Sequence, residues 1–127
     1  MLPQVETAPQ AVSEGAVVTK AVVSAAERLG LSARALASVL GVSEASVSRM
    51  KRLDFTLERG TKPFELALLF IRVFRSLDAI AGGDEAVARA WLRNANTALG
   101  GVPADKIATV SGLTDVLAYL DARRALV

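Results

Sequence analysis

The stretch ARALASVLGVSEASVSRM, Ala33 to Met50, decides the fold. Apolar or small residues fall at Leu36, Ala37, Leu40, Val42, Val47 and Met50, with Gly41 between the two halves. Two short helices crossing at a steep angle need this arrangement. Ala37 lets their axes approach, Gly41 can take the left-handed turn conformation, and Val47 and Met50 fill the shared core. Ser32 and Ser43 stand where the N-caps of the two helices belong. The spacing therefore predicts a helix-turn-helix, with a first helix from Ser32 to about Leu40 and a recognition helix from about Glu44 to Arg52.

Outward from this unit, no alternating strand pattern is present and helical periods dominate. Val18, Val22, Ala25 and Leu29 repeat at spacings of four, three and four, which predicts a helix over Val17 to Leu29 stopped by Gly30. Met1 to Gly15 holds two prolines and no sustained period, and reads as a flexible arm. After a turn over Leu53 to Lys62, Pro63 suits the first turn of a helix running to about Ile80. Phe64, Ala67, Leu68, Ile71, Phe74 and Leu77 mark one face of it, and Leu66, Leu69, Phe70 and Val73 add apolar residues elsewhere. A helix apolar nearly all round is buried nearly all round, either as a central helix or in a dimer interface.

Beyond Gly82-Gly83, Asp84 caps a helix to about Ala95 with Val87, Trp91 and Leu92 inward. A loop over Asn94 to Val102 follows. Pro103 opens a short helix to about Val110, and Ser111-Gly112 breaks it. The last helix runs from about Leu113 to Arg124 with Val116, Leu117 and Leu120 inward. The expected fold is all-α, divided into an N-terminal arm (1–15), a helix-turn-helix DNA-binding unit (16–62) and a helical dimerisation and partner-binding domain (63–127).

Composition narrows the chemistry. The 127 residues are 52% hydrophobic and include no Cys and no His, so disulfides, thiolate or imidazole metal sites and Ser-His triads are excluded. Paired carboxylates occur only at helix starts and turns, and Gly100-Gly101 lacks the strand and glycine spacing of a phosphate loop. No enzyme, metal or cofactor is expected. The most apolar run, Phe64 to Phe74, is interrupted by Arg72 and is shorter than the roughly 20 residues a membrane span needs. No secretory signal pattern opens the chain, so a soluble cytoplasmic protein without membrane association is expected.

The net charge of +2 is unevenly distributed. Residues 31–64 carry six basic and three acidic side chains, whereas residues 65–127 carry seven of each. The positive excess thus falls in and just after the helix-turn-helix, where phosphate contacts are made. If the recognition helix enters a major groove, Ser43, Glu44, Ser46, Ser48 and Arg49 are the candidate base readers. Arg49 leads, because a guanidinium can grip guanine bidentately. Arg34, Lys51 and Arg52 suit phosphates. One such unit reads few base pairs, so a homodimer on a two-part operator is expected.

The order of helix-turn-helix, apolar helix and then WLRNANTALGGVPADKIATVSGLTDVLAYLDA resembles the MbcA/ParS/Xre-type antitoxins. The resemblance rests on Trp91-Leu92, Asn94 or Asn96, Leu99-Gly100-Gly101, Pro103, Gly112-Leu113, Val116 and Leu120, and covers Val17 to the end. It implies an Xre/Cro-like helix-turn-helix followed by a C-terminal toxin-binding domain. It also implies a RES-domain toxin as partner, one that consumes NAD or transfers ADP-ribose from it, whose active site the antitoxin's C-terminal segment covers. The loop before Leu99 lacks the Pro often seen ahead of its Asn, and the chain stops soon after the last helix, so any plug is short. On this resemblance Arg123, Arg124, Ala125, Leu126 and Val127 form the toxin-binding tail, with two cations, an apolar end and a carboxylate able to pair with a phosphate-holding Arg. The competing reading is a stand-alone repressor whose C-terminal half dimerises or senses a ligand.

Overall fold

The helix from Phe64 onward is the axis on which the other elements are laid. The computed structural model describes residues 13–126, and these form seven helices with no strand among them. They are α1 (Glu14–Arg28), α2 (Ala33–Leu40), α3 (Glu44–Lys51), α4 (Lys62–Ile80), α5 (Glu85–Arg93), α6 (Pro103–Lys106) and α7 (Val110–Arg124). Thr61 caps α4 through its side chain and Pro63 lies in its first turn. Ala67, Phe70 and Val73 of α4 are fully buried, and α1, α2, α5 and α7 all pack against this helix. One continuous apolar core results, running from Val22 of α1 to Leu120 of α7. The chain itself thus covers most of the apolar surface of α4, but the helix is not buried nearly all round as its composition suggested. Glu65, Leu68, Arg72, Arg75 and Ala79 form an outward stripe, with Leu68 41% exposed.

The helix-turn-helix forms as its spacing predicts. Leu36, Ala37, Leu40, Val47 and Met50 are buried, and Val42 is partly so. Gly41 takes φ 70° and ψ 33°, and its N–H closes α2 onto the Ala37 carbonyl at 2.9 Å. A residue with a Cβ is disfavoured in that left-handed conformation, which is why the turn carries glycine. Ser32 and Ser43 each accept a hydrogen bond from the backbone N–H three residues on, as expected of N-caps.

Several boundaries differ from those expected. Helix α1 begins at Glu14, capped by Ser13, so Ser13, Glu14 and Gly15 belong to a helix and not to an arm; residues 1–12 lie outside the described residues. Gly15 sits inside α1 because a Cβ there would collide with the Leu57 carbonyl oxygen. Next to it the Thr19 hydroxyl donates to the Gly15 carbonyl at 2.6 Å and accepts from the Leu57 N–H at 2.9 Å. That buried bridge fastens the segment after α3 to α1.

In the C-terminal half, α5 ends at Arg93, and α6 stops at Lys106. Ser111-Gly112 does not break a helix but lies in the first turn of α7, which Thr109 caps by accepting from the Gly112 N–H at 3.0 Å. Here too the glycine answers a distant constraint, since a Cβ at Gly112 would run into the Lys106 carbonyl oxygen. Val87 is also corrected. It is 51% exposed, and Ala88 and Leu92 form the buried stripe of α5 with Trp91 half-buried beside them. In α7, Val116, Leu117 and Leu120 are buried as expected.

Replacing Gly15 by Ala must displace backbone and not merely a flexible side chain. Chemical denaturation should show a loss of about 1–3 kcal/mol, the usual cost of overpacking a filled interior. Unchanged stability would mean that α1 and the Leu57 segment are not locked as described.

Candidate nucleic-acid interface and partner-binding surface

Helix α3 is amphipathic in the simplest way. Val47 and Met50 anchor it, and the remaining residues face outward or lie half-buried. Three of the candidate readers form one bonded chain along its outer face. The Ser43 hydroxyl donates to Ser46 Oγ at 2.9 Å, and Arg49 Nη2 donates to Ser46 Oγ at 3.3 Å. The Arg49 guanidinium also lies 5.6 Å from the centre of the Phe55 ring. These two contacts hold its charge over the outer face of the helix before any partner arrives.

The other sequence-named residues are placed as follows. Glu44, Lys51 and Arg52 are exposed on or just after α3, and Ser48 is half-buried. Arg52 pairs with Asp54 at 3.4 Å. Arg34 stands apart, exposed on α2 beside a cleft of about 340 Å³ that α2 shares with Ala104, Asp105 and Ala108. Phe55 and Asp54, which support Arg49 and Arg52, were not singled out from the sequence. They follow the helix in an irregular segment where no period marks them.

After α3 the chain turns through Leu53, a residue 65% exposed with φ 64°. It is the one non-glycine residue among those described with a positive φ. The Asp54 N–H closes this turn on the Arg49 carbonyl at 2.8 Å.

At the far end, the loop after α5 is pinned by one asparagine. Asn96 Oδ1 accepts from the Leu99 N–H at 3.1 Å, and its backbone exchanges hydrogen bonds with Gly101 at 2.9 and 3.2 Å. Of the two asparagines considered, Asn96 therefore shapes the loop, while Asn94 ends α5. The tail residues go separate ways. Arg123 Nη1 donates to the Tyr119 hydroxyl at 2.9 Å, and Arg124 Nη1 reaches Ser76 Oγ at 3.5 Å. Ser76 is buried in α4 and donates to Asp121 Oδ1 at 2.8 Å. Ala125 caps α7 and is exposed, Leu126 is 84% exposed, and Val127 lies outside the described residues.

A polar clamp that sequence reasoning missed joins the two ends. Arg89 of α5 donates from Nε to the Arg28 carbonyl at 2.9 Å and from Nη2 to the Glu27 carbonyl at 3.1 Å. It thereby satisfies the Arg28 carbonyl and adds a second donor to the Glu27 carbonyl, which also accepts from the Gly30 N–H at 3.0 Å. Arg28 in turn donates to Glu85 at 3.0 Å, lies 3.7 Å from Asp78 and stacks 4.8 Å from the Phe74 ring centre. These ion pairs are more than a third exposed, so each contributes roughly 0–1 kcal/mol. Their effect is orientation more than stability. Partners about sixty residues apart leave no periodic mark in the sequence.

Among the described residues, no group of three or more acidic, His or Cys side chains is placed to hold a metal, and no helix is long and apolar enough to cross a membrane. Comparison with curated proteins gives no match. Two family models do match. The antitoxin Xre-like helix-turn-helix domain covers residues 8–72, and the antitoxin Xre/MbcA/ParS C-terminal toxin-binding domain covers residues 76–125. The two matches thus place a helix-turn-helix domain ahead of a toxin-binding domain, with α4 running across the boundary between them. The chain belongs to the Xre/MbcA/ParS antitoxin family: it is a type II antitoxin, with a helix-turn-helix domain ahead of a C-terminal toxin-binding domain.

Proposed function

We propose that this antitoxin neutralises a RES-domain toxin in the cytoplasm by covering its active site with the C-terminal segment, and that as a homodimer it represses its own operon through α3. The observation that carries the reading is the exposed end of α7. The last buried side chain is Leu120, and beyond it the chain offers Arg123, Arg124, Ala125 and Leu126 to solvent. A toxin that binds NAD must hold its diphosphate with cationic donors. The exposed Leu126 can enter the apolar part of such a toxin's cleft, with Arg123 and Arg124 at its mouth.

On the DNA side, the preset Arg49 reads a base edge, with Ser43, Glu44, Ser46 and Ser48 beside it, while Arg34, Lys51 and Arg52 engage phosphates. Two copies on a two-part site supply the specificity that a single short helix lacks. No chemistry on a substrate is assigned to the chain.

Co-expression with the adjacent gene, scored for growth, tests the reading as a whole. Rescue of growth arrest caused by a RES-domain protein is the expected outcome, and an adjacent gene of another kind contradicts the RES assignment. Removing residues 122–127 should weaken inhibition while operator binding persists, because the cut falls after the last buried side chain. Full inhibition by the shortened chain would remove the tail from the mechanism. Replacing Arg49 by Ala should weaken operator binding by about 1–3 kcal/mol, the worth of one good base contact. A footprint and affinity equal to wild type would take Arg49 out of the interface.

A further inference from the structure

Trp91 and Tyr119 are the chain's one tryptophan and one tyrosine, and the fold brings them together. Their rings stack across the seam between α5 and α7, with centroids 6.1 Å apart and planes at 22°. Both are half-buried, resting one side on the core and leaving the other toward solvent. Their polar ends do nothing to hold the core. The Tyr119 hydroxyl is bonded to Arg123, one turn along its own helix, and that guanidinium lies 5.7 Å from the Tyr119 ring centre. The Trp91 indole N–H donates to no acceptor among the described residues.

Val87 lies one turn before Trp91, on the same side of α5. At 51% exposure it is one of the few large apolar residues this fold leaves out. Val87, Trp91, Tyr119 and Arg123 thus make a strip that crosses from α5 to α7 and leads to the exposed Leu126.

If these positions served only the core, Leu or Phe would fill them without an indole N–H or a phenol at the water's edge. Aromatic side chains with one apolar and one wet end are favoured where a surface meets a partner. Trp, Tyr and Arg are the residue types that dominate binding energy in such surfaces. Arg123 is also already held by Tyr119, so less freedom is lost when it meets a carboxylate.

We propose that the strip Val87–Trp91–Tyr119–Arg123 is the anchor by which this chain grips its toxin, the tail acting beyond it. The occupant is the toxin because all four residues fall within the segment matching the toxin-binding domain, and because the strip is continuous with the tail. The complementary surface has an apolar recess for Val87 and the two rings, and a carboxylate facing Arg123. The proposal rests on the antitoxin reading but not on the toxin being of the RES type.

The test uses the full chain and the toxin from its own operon, inactivated by an active-site substitution. Calorimetry measures toxin affinity, with melting temperature and operator binding recorded beside it. Val87→Glu alters a side chain that supports no core contact, and it should lower toxin affinity by about tenfold or more while melting and operator binding stay at wild type. Tyr119→Ala should also lower toxin affinity, with some loss of melting temperature because its ring rests on the core. Tyr119→Phe keeps that packing and should restore the melting temperature with only partial recovery of affinity, and Leu53→Glu on the opposite unit should leave toxin affinity unchanged. Wild-type affinity in Val87→Glu overturns the proposal. So does loss of self-association in that variant without loss of toxin affinity, which assigns the strip to a second copy of the chain. A toxin of another fold whose binding nonetheless requires Val87 and Tyr119 refutes the RES assignment and leaves the anchor standing, whereas a RES toxin indifferent to both refutes the anchor alone.

Discussion

The whole arrangement depends on burying the broad apolar face of α4. Phe70, Ala67 and Val73 of this helix have zero exposure, and only the stripe Glu65, Leu68, Arg72, Arg75 and Ala79 faces water, so neighbours must cover the rest of its surface. Helices α1 and α2 cover it from the N-terminal half, and α5 and α7 from the C-terminal half. Each half therefore completes its own core only by sharing this helix. The matches to the two antitoxin domains end and begin at residues 72 and 76, both inside α4. The boundary between the domains is thus a point in a continuous helix.

Polar contacts refine what apolar burial establishes. The Arg89 and Arg28 clamp sets the angle between α1 and α5, and the Thr19 bridge sets the approach of the segment after α3 to α1. Ser76 and Asp121 tie α4 to α7 near the start of the tail. Of these only Thr19 and Ser76 are buried, whereas the Arg28, Glu85 and Arg89 side chains of the clamp are 41–45% exposed. Burial holds the helices together, while these bonds fix how the outer face of α3 and the end of α7 are presented.

What could be read from the sequence was whatever local spacing encodes. The pattern from Leu36 to Met50, the left-handed Gly41 and the serine caps all act within one or two turns, and all appear as expected. Gly15 and Gly112 could not be read that way, because each answers a backbone carbonyl from another segment, Leu57 and Lys106. Glycine signals a break by default, and only the packed chain reveals a close approach. Val87 was misassigned because α5 is short and alanine-rich. Ala88 serves as well as valine against the core, and the apolar pattern alone cannot say which of the two neighbours turns inward. At the candidate sites, the residues on α3 followed from helix position, whereas Phe55 beneath Arg49 and Tyr119 beside Arg123 required three-dimensional neighbours.

The shared helix also bears on how this chain is lost. Where two domains meet at a flexible linker, one can unfold or be cut away while the other persists. Here, unravelling α4 from either end uncovers apolar residues belonging to both halves, so local opening should spread through the chain as one cooperative unit. A protease that captures the opened state would remove the recognition helix and the toxin-binding surface in a single event. Loss of the helix-turn-helix and loss of the toxin-binding surface would then share one clock, set by the stability of a single helix.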